Sequence, residues 1–216
     1  MSADTNDLID NLAKDLKPVR PLPRAGVRAA VLSLWAVALG FLIMKAVHEP
    51  RSDLANALHQ NVYLVQGLAM VLAGLMSAYA AFRLSVPDTR IRPPVVTALS
   101  LSTIIWLAMI AGEFALSGGQ MPEPAESCFI GLTMAMSLPL IVAIIMVMHS
   151  APVWRGWAGY AMVLSTGSFG ALVMRVTCPS DSPSHLLVWH FLPVLGLALV
   201  GVPLGKILLN FRLAKK

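Results

Sequence analysis

Two side chains carry the reactive chemistry of this sequence, Cys128 and Cys178. Neither cysteine belongs to a CxxC or haem-attachment motif, so neither a dithiol oxidoreductase nor a c-type haem protein is written in their spacing. Two isolated thiols are open to three uses: a static disulfide in an oxidising compartment, a switch that captures a soft metal ion or is oxidised, or two unrelated buried fillers of apolar space. His185 and His190 offer imidazole nitrogens to a metal at the cysteines, but two Cys and two His without ligand spacing are a weak motif. Taken alone, His190 reads as a hydrogen-bonded packing residue. One acid, Glu113, and one base, Arg175, also fall inside long apolar stretches. Ionisable groups at membrane depth are costly and either pair or serve function, and the similar depth of these two predicts a Glu113 to Arg175 ion pair, with snorkelling to the interface as the alternative.

The elements that must position these groups are membrane spans. Of 216 residues, 57% are hydrophobic and 12% charged, with a mean hydropathy of +0.73, far from the make-up of a soluble domain. Stretches at 29–47, 61–82, 95–116, 128–148, 156–177 and 186–209 are each long enough to cross a bilayer. The fold class is therefore an all-α integral membrane protein: six transmembrane helices preceded by a short cytoplasmic amphipathic N-terminal helix, with both termini cytoplasmic. Its parts are a cytoplasmic N-terminal segment 1–28, a transmembrane domain 29–209 and a basic cytoplasmic tail 210–216. The orientation follows from the basic residues, since an inside N-terminus places 13 of 16 Lys and Arg on the cytoplasmic side and leaves only Lys45, Arg51 and Arg175 outside. Pro139, Pro193 and Pro203 fall inside spans, where they read as kinks. Gly201 and Gly205 in GVPLG have the spacing of a close helix approach.

That leaves no sequence for a large catalytic domain, and no enzyme activity or resident cofactor is expected. Direct nucleic-acid binding is not expected either, because the basic residues are dispersed over the inner loops as topology determinants. No internal repeat suggests a transporter. The histidines sit in separate settings, with no two facing each other as axial haem ligands would.

Spans four and five form a hairpin about a turn near 149–155, so Cys128 lies 21 residues before that turn and Cys178 lies 23 after it. At about 1.5 Å per residue both thiols return to the same face within roughly 3 Å of one height. Bridging then depends on which helix faces meet.

The opposite side carries an unpartnered feature. In TNDLIDNLAKDLK, residues 5–17, Leu8, Ile9, Leu12 and Leu16 form one apolar stripe on a helix with Thr5 as its N-cap and Pro18 as its stop. A helix this short is marginal alone, so it must dock on the bilayer surface, on the protein's own loops or in the groove of a partner protein. Asp7, Asp10 and Asp15 disfavour the membrane surface, where Lys and Arg would prevail. The following PVRPLPR, Pro18 to Arg24, reads as an extended spacer.

Three stretches together resemble one family. The opening DLIDNLAKDLKPVRPLPRAGVR is similar to the L-x-x-D-x-x-P-V-R start of the NrsF family of six-span membrane anti-sigma factors. Cys128 at the head of span four and CPSDSPSHLLVWH, Cys178 to His190, continue the likeness over essentially the whole chain. The resemblance implies a protein of the bacterial inner membrane that holds an extracytoplasmic-function sigma factor through its N-terminal segment. Leu8, Ile9, Leu12, Leu16, Pro18 and Arg20 are the contacts inferred within it. It further implies that Cys128 and Cys178 sense oxidants or heavy metals from the periplasm, any metal binding there being transient. Span five would then move relative to span four, and the inner loops would pass the change to the sigma-binding segment. A membrane redox or haem protein and a small transporter are the competing classes.

Overall fold

The computed structural model describes residues 2–14, 21–47, 49–86, 93–120, 122, 124–150 and 152–210. Helix α1 spans Ser2–Lys14, α2 Ala25–Val47, and a short α3 Leu54–Ala57; α4 runs over Asn61–Leu84, α5 over Pro93–Ser117, α6 over Glu126–Met148 and α7 over Arg155–Thr177. The last span is composite: α8, Pro183–Leu186, passes through a π-helical turn, Leu187–Phe191, into α9, Leu192–Leu208. Six of these units are long and apolar enough to cross a membrane, and their limits extend the expected spans by up to four residues at an end. Pro139 and Pro203 lie inside α6 and α9, as expected of spans whose neighbours satisfy the freed carbonyls.

The least apolar span is the central one. Some 89% of the α7 window is buried in the bundle, against 17% for α5. A helix shielded from lipid by protein can carry Gly156, Gly159, Gly167 and Gly170 together with Ser165, Thr166 and Ser168, all buried, because small residues let neighbouring backbones close in. Against α9 the approach is closest: a Cβ on Gly159 would lie 2.7 Å from the Gly205 Cα, and one on Gly201 would lie 2.8 Å from the Gly159 carbonyl. Polar bonds pin the other neighbours, from Ser165 Oγ to the Gly74 carbonyl at 2.9 Å and from the Trp106 indole N–H to Ser168 Oγ at 2.8 Å.

The bundle has two chemically distinct ends. At the basic end, Arg28 reaches across from the first turn of α2 to donate to the Met146 carbonyl at 2.7 Å and to Ser150 Oγ, and it lies 4.3 Å over the Phe82 ring. A cation at the C-terminus of α6 suits the free carbonyls and dipole there. Span one therefore starts at Ala25 and takes Arg28 into the bundle, shortening the expected N-terminal segment. Helix α1 begins at Ser2, which places Thr5 inside it and not at its cap. Leu8, Ile9 and Leu12 are 59%, 56% and 62% exposed, so the stripe is uncovered. Leu16, Pro18 and Arg20 lie outside the described residues, as does most of the tail.

Candidate thiol and imidazole site

At the opposite end, α6 opens with Glu126 and carries Cys128 on its first turn, while Cys178 is the residue that ends α7 in an extended conformation. The hairpin count is borne out in space: the sulfurs face each other at 3.5 Å as two unbonded thiols. The two thiols are therefore neighbours.

The loop from Cys178 returns at once into α8, whose Pro183 suits the first helical turn. This sets His185 Nε2 3.3 Å from Cys178 Sγ. The π turn then brings His190 beside it, with ring centroids 5.3 Å apart. Pro193 explains where the helix widens, since it has no N–H to give the α-type bond in this turn and its ring would crowd the preceding carbonyl. Single π turns often mark functional positions. His185 and His190, which the sequence set in different surroundings, thus lie side by side, and because both come from one composite helix they do not face each other as axial haem ligands would.

One ligand atom from each of Cys128, Cys178, His185 and His190 falls within 4.8 Å of all the others. A tetrahedral ion with Zn–S near 2.3 Å and Zn–N near 2.0–2.1 Å requires ligand-to-ligand edges of about 3.4–3.8 Å. The thiol pair and the Cys178 to His185 contact are already close to that size. His190 is fully buried, and both of its ring nitrogens lack a hydrogen-bond partner. Its ring stands in the cluster beside Cys178 and His185. A buried imidazole without a partner carries a desolvation cost that a ligand would remove. Cys178 is held below the ordinary thiol range, first by its contact with the Cys128 sulfur and then by His185, against the opposing effect of burial. The pair thus sets one sulfur beside another that can resolve it after oxidation.

The loop that carries Cys178 is fastened next to this site. Asp181 accepts from Arg51 Nη2 and Arg175 Nη1, each at 2.6 Å, and Asp53 accepts from Arg51 Nε at 2.6 Å. The Arg51 amide donates to the Val176 carbonyl at 3.0 Å, and the Tyr63 hydroxyl donates to the Arg175 carbonyl at 2.9 Å. Two carboxylates hold the Arg51 guanidinium firmly charged, and Arg51 in turn holds the Asp53 carboxyl below its usual range. The expected Glu113 to Arg175 pair is corrected by this arrangement. Arg175, in the last turn of α7, pairs with Asp181 in the adjoining loop, while Glu113 accepts from the Gln66 side chain on α4. A carboxylate at the loop end spares the protein an ion pair deeper in the bundle. Asp181 went unnoticed in the sequence, and its only signal there was its place between the second cysteine and His185.

The membrane bundle thus carries a buried thiol and imidazole cluster at one end and an amphipathic helix with an exposed apolar stripe at the other. The family model for NrsF, negative regulator of sigma F, matches residues 12–211, and the chain belongs to that family. It is 31% identical to a probable anti-sigma-F factor NrsF of Azospira oryzae and 27% identical to the anti-sigma-F factor NrsF of Caulobacter vibrioides, in each case over 96% of this chain and 99% of the relative. No solved structure matches.

Proposed function

We propose that this chain is an anti-sigma factor of the bacterial inner membrane. Its N-terminal segment holds an extracytoplasmic-function sigma factor at the cytoplasmic, basic end and releases it when a soft metal ion or an oxidant reaches Cys128 and Cys178 at the periplasmic end. The observation that carries the sensing half is the convergence of four ligand atoms within 4.8 Å around an unpartnered, buried His190. The binding half rests on family membership and on the uncovered stripe of Leu8, Ile9 and Leu12.

A metal ion would be held by Cys128 and Cys178 as thiolates and by His185 and His190 as neutral imidazoles. Two thiolates around a divalent cation leave no net charge, which suits a buried site. Oxidation takes a different course. With hydrogen peroxide, the two sulfurs bond to each other, and their two protons and two electrons convert the peroxide into two waters. The sulfurs would then close by about 1.5 Å to reach disulfide length. Helix α6 joins the two ends, since it carries Cys128 near its start and the Met146 carbonyl that receives Arg28 near its finish. A shift of α6 would thus act on the first turn of span one, directly after the sigma-binding segment.

The test is co-purification of sigma factors with the full-length chain, with a Leu8→Asp, Leu12→Asp variant and with a Cys128→Ser, Cys178→Ser variant. One sigma factor should be retained by the full chain and by the serine variant and lost with the aspartates. Cadmium or peroxide should release it from the full chain only. Retention by the aspartate variant would refute the binding half, and release from the serine variant would refute the sensing half.

A further inference from the structure

A second surface with built-in chemistry lies at the basic end, away from the thiols. Between α7 and α9 a cavity of about 470 Å³ is lined by Trp154, Arg155, Gly156, Trp157, Val202 and Lys206. A cavity of about 620 Å³ adjoins it, walled by Val96, Ser100 and Thr103 of α5, Trp157 and Tyr160 of α7 and Leu199 of α9. Trp157 borders both. Leu199, Val202 and Lys206 follow one another on one face of α9, as Trp157 and Tyr160 do on α7. The two cavities are therefore successive parts of one groove, which starts at the helix ends and rises about 10 Å into the spans.

The two parts differ in chemistry. The deeper part is an apolar crevice, present because α5 packs on α4 and on the thiol-end turn of the last span but stands off α7 and α9 toward its own start. The hydroxyls of Thr103 and Tyr160 satisfy each other across it at 2.9 Å, leaving walls that are apolar apart from Ser100. The mouth is basic. Arg155 is held in place by a 2.7 Å bond to Asn210 Oδ1, Lys206 stands exposed opposite, and among the described residues no acidic side chain lines either part. Gly156 keeps the mouth open, since a Cβ there would meet the Lys206 stem and Val202 at 3.3 Å. Trp154 and Trp157, 40% and 52% exposed, sit at the depth where amphipathic rings meet lipid headgroups.

We infer that this groove is a binding site for one anionic phospholipid of the leaflet at the basic end, with its phosphate between Arg155 and Lys206 and an acyl chain in the crevice beside Trp157. Charge complementarity selects the occupant: a mouth between spans whose described charged lining is Arg155 and Lys206 favours an anionic headgroup over a zwitterionic one, and the crevice behind it needs a chain. The inference stands independently of sigma binding and of the thiols.

Tryptophan quenching tests it directly. The full-length protein is reconstituted in phosphatidylcholine vesicles containing a small fraction of chain-brominated phosphatidylglycerol or, in parallel, chain-brominated phosphatidylcholine. At equal fractions the brominated phosphatidylglycerol should quench threefold or more efficiently. That excess should vanish in an Arg155→Gln, Lys206→Gln variant and in Trp157→Phe, and should persist in Arg83→Gln, a basic residue of the same end outside the groove. Equal quenching by both lipids in the unaltered protein would overturn the site, as would a preference that survives Arg155→Gln, Lys206→Gln. Quenching by neither lipid would mean that a second copy covers the groove. Loss of the excess on adding glycerol phosphate would mean a site for free phosphate. Both results overturn the proposal.

Discussion

Replacing His190 by leucine separates the metal reading from ordinary packing because the two give opposite signs. His190 is fully buried and neither ring nitrogen has a partner. Each buried unpaired polar atom costs about 1–3 kcal/mol, and leucine has a similar volume, so the metal-free protein should lose nothing and gain up to about 2 kcal/mol. His185→Leu should behave otherwise, since His185 Nε2 is bonded to Cys178 at 3.3 Å. Its loss leaves the sulfur short of a partner and should cost about 1–3 kcal/mol. With Zn²⁺ or Cd²⁺ at a thousand times the dissociation constant, the unaltered protein should be stabilised by about 4 kcal/mol. Removing one of four ligands should weaken capture at least tenfold, which takes about 1.4 kcal/mol or more from that shift. The assay is thermal unfolding of the full chain in detergent with and without the ion. A His190→Leu protein that is less stable without metal, yet shifted as far by it, would refute the assignment of His190 as a ligand.

Three further outcomes follow from the same geometry. Metal capture at the thiols should tighten as pH rises, because binding displaces protons from the ligands; a Cd²⁺ titration at several pH values checks this, and a pH-independent constant would exclude thiolate ligation. Asp181→Asn removes the carboxylate shared by Arg51 and Arg175, whose side chains are only 2% and 4% exposed, and should cost about 2–3 kcal/mol of stability; an unchanged melting temperature would show that the loop does not depend on it. Gly159→Ala should cost about 1–3 kcal/mol by forcing α7 and α9 apart, whereas Gly196→Ala, with open space at its Cβ, should cost nothing; equal melting of both variants would refute the close approach.

Much of this protein was legible in one dimension because the bilayer imposes a length and polarity rule on each span separately. Six apolar stretches, their limits to within four residues, and the segregation of basic residues all follow from local composition, which needs no partner helix to be read. The matched height of Cys128 and Cys178 was also legible, since helical rise converts residue counts into depth. GVPLG announced a close approach but not its partner, Gly159.

What the sequence withheld was azimuth. A residue count gives height along a helix, whereas the direction in which a side chain points depends on how neighbouring helices rotate and pack. Arg175 and Glu113 share a depth, yet packing turned one to Asp181 in its adjoining loop and the other to Gln66. His190 shows the same limit through the backbone: its spacing from His185 is not that of an α-helical ligand pair, and the π turn beside Pro193 sets it against His185 and the thiols. Sequence alone determined that this chain is a six-span bundle with two thiols level at one end and an apolar-striped helix at the other. Only the tertiary structure decided that the thiols touch, that two imidazoles join them and that Asp181 latches their loop, because contacts between distant residues come from packing and not from local propensity.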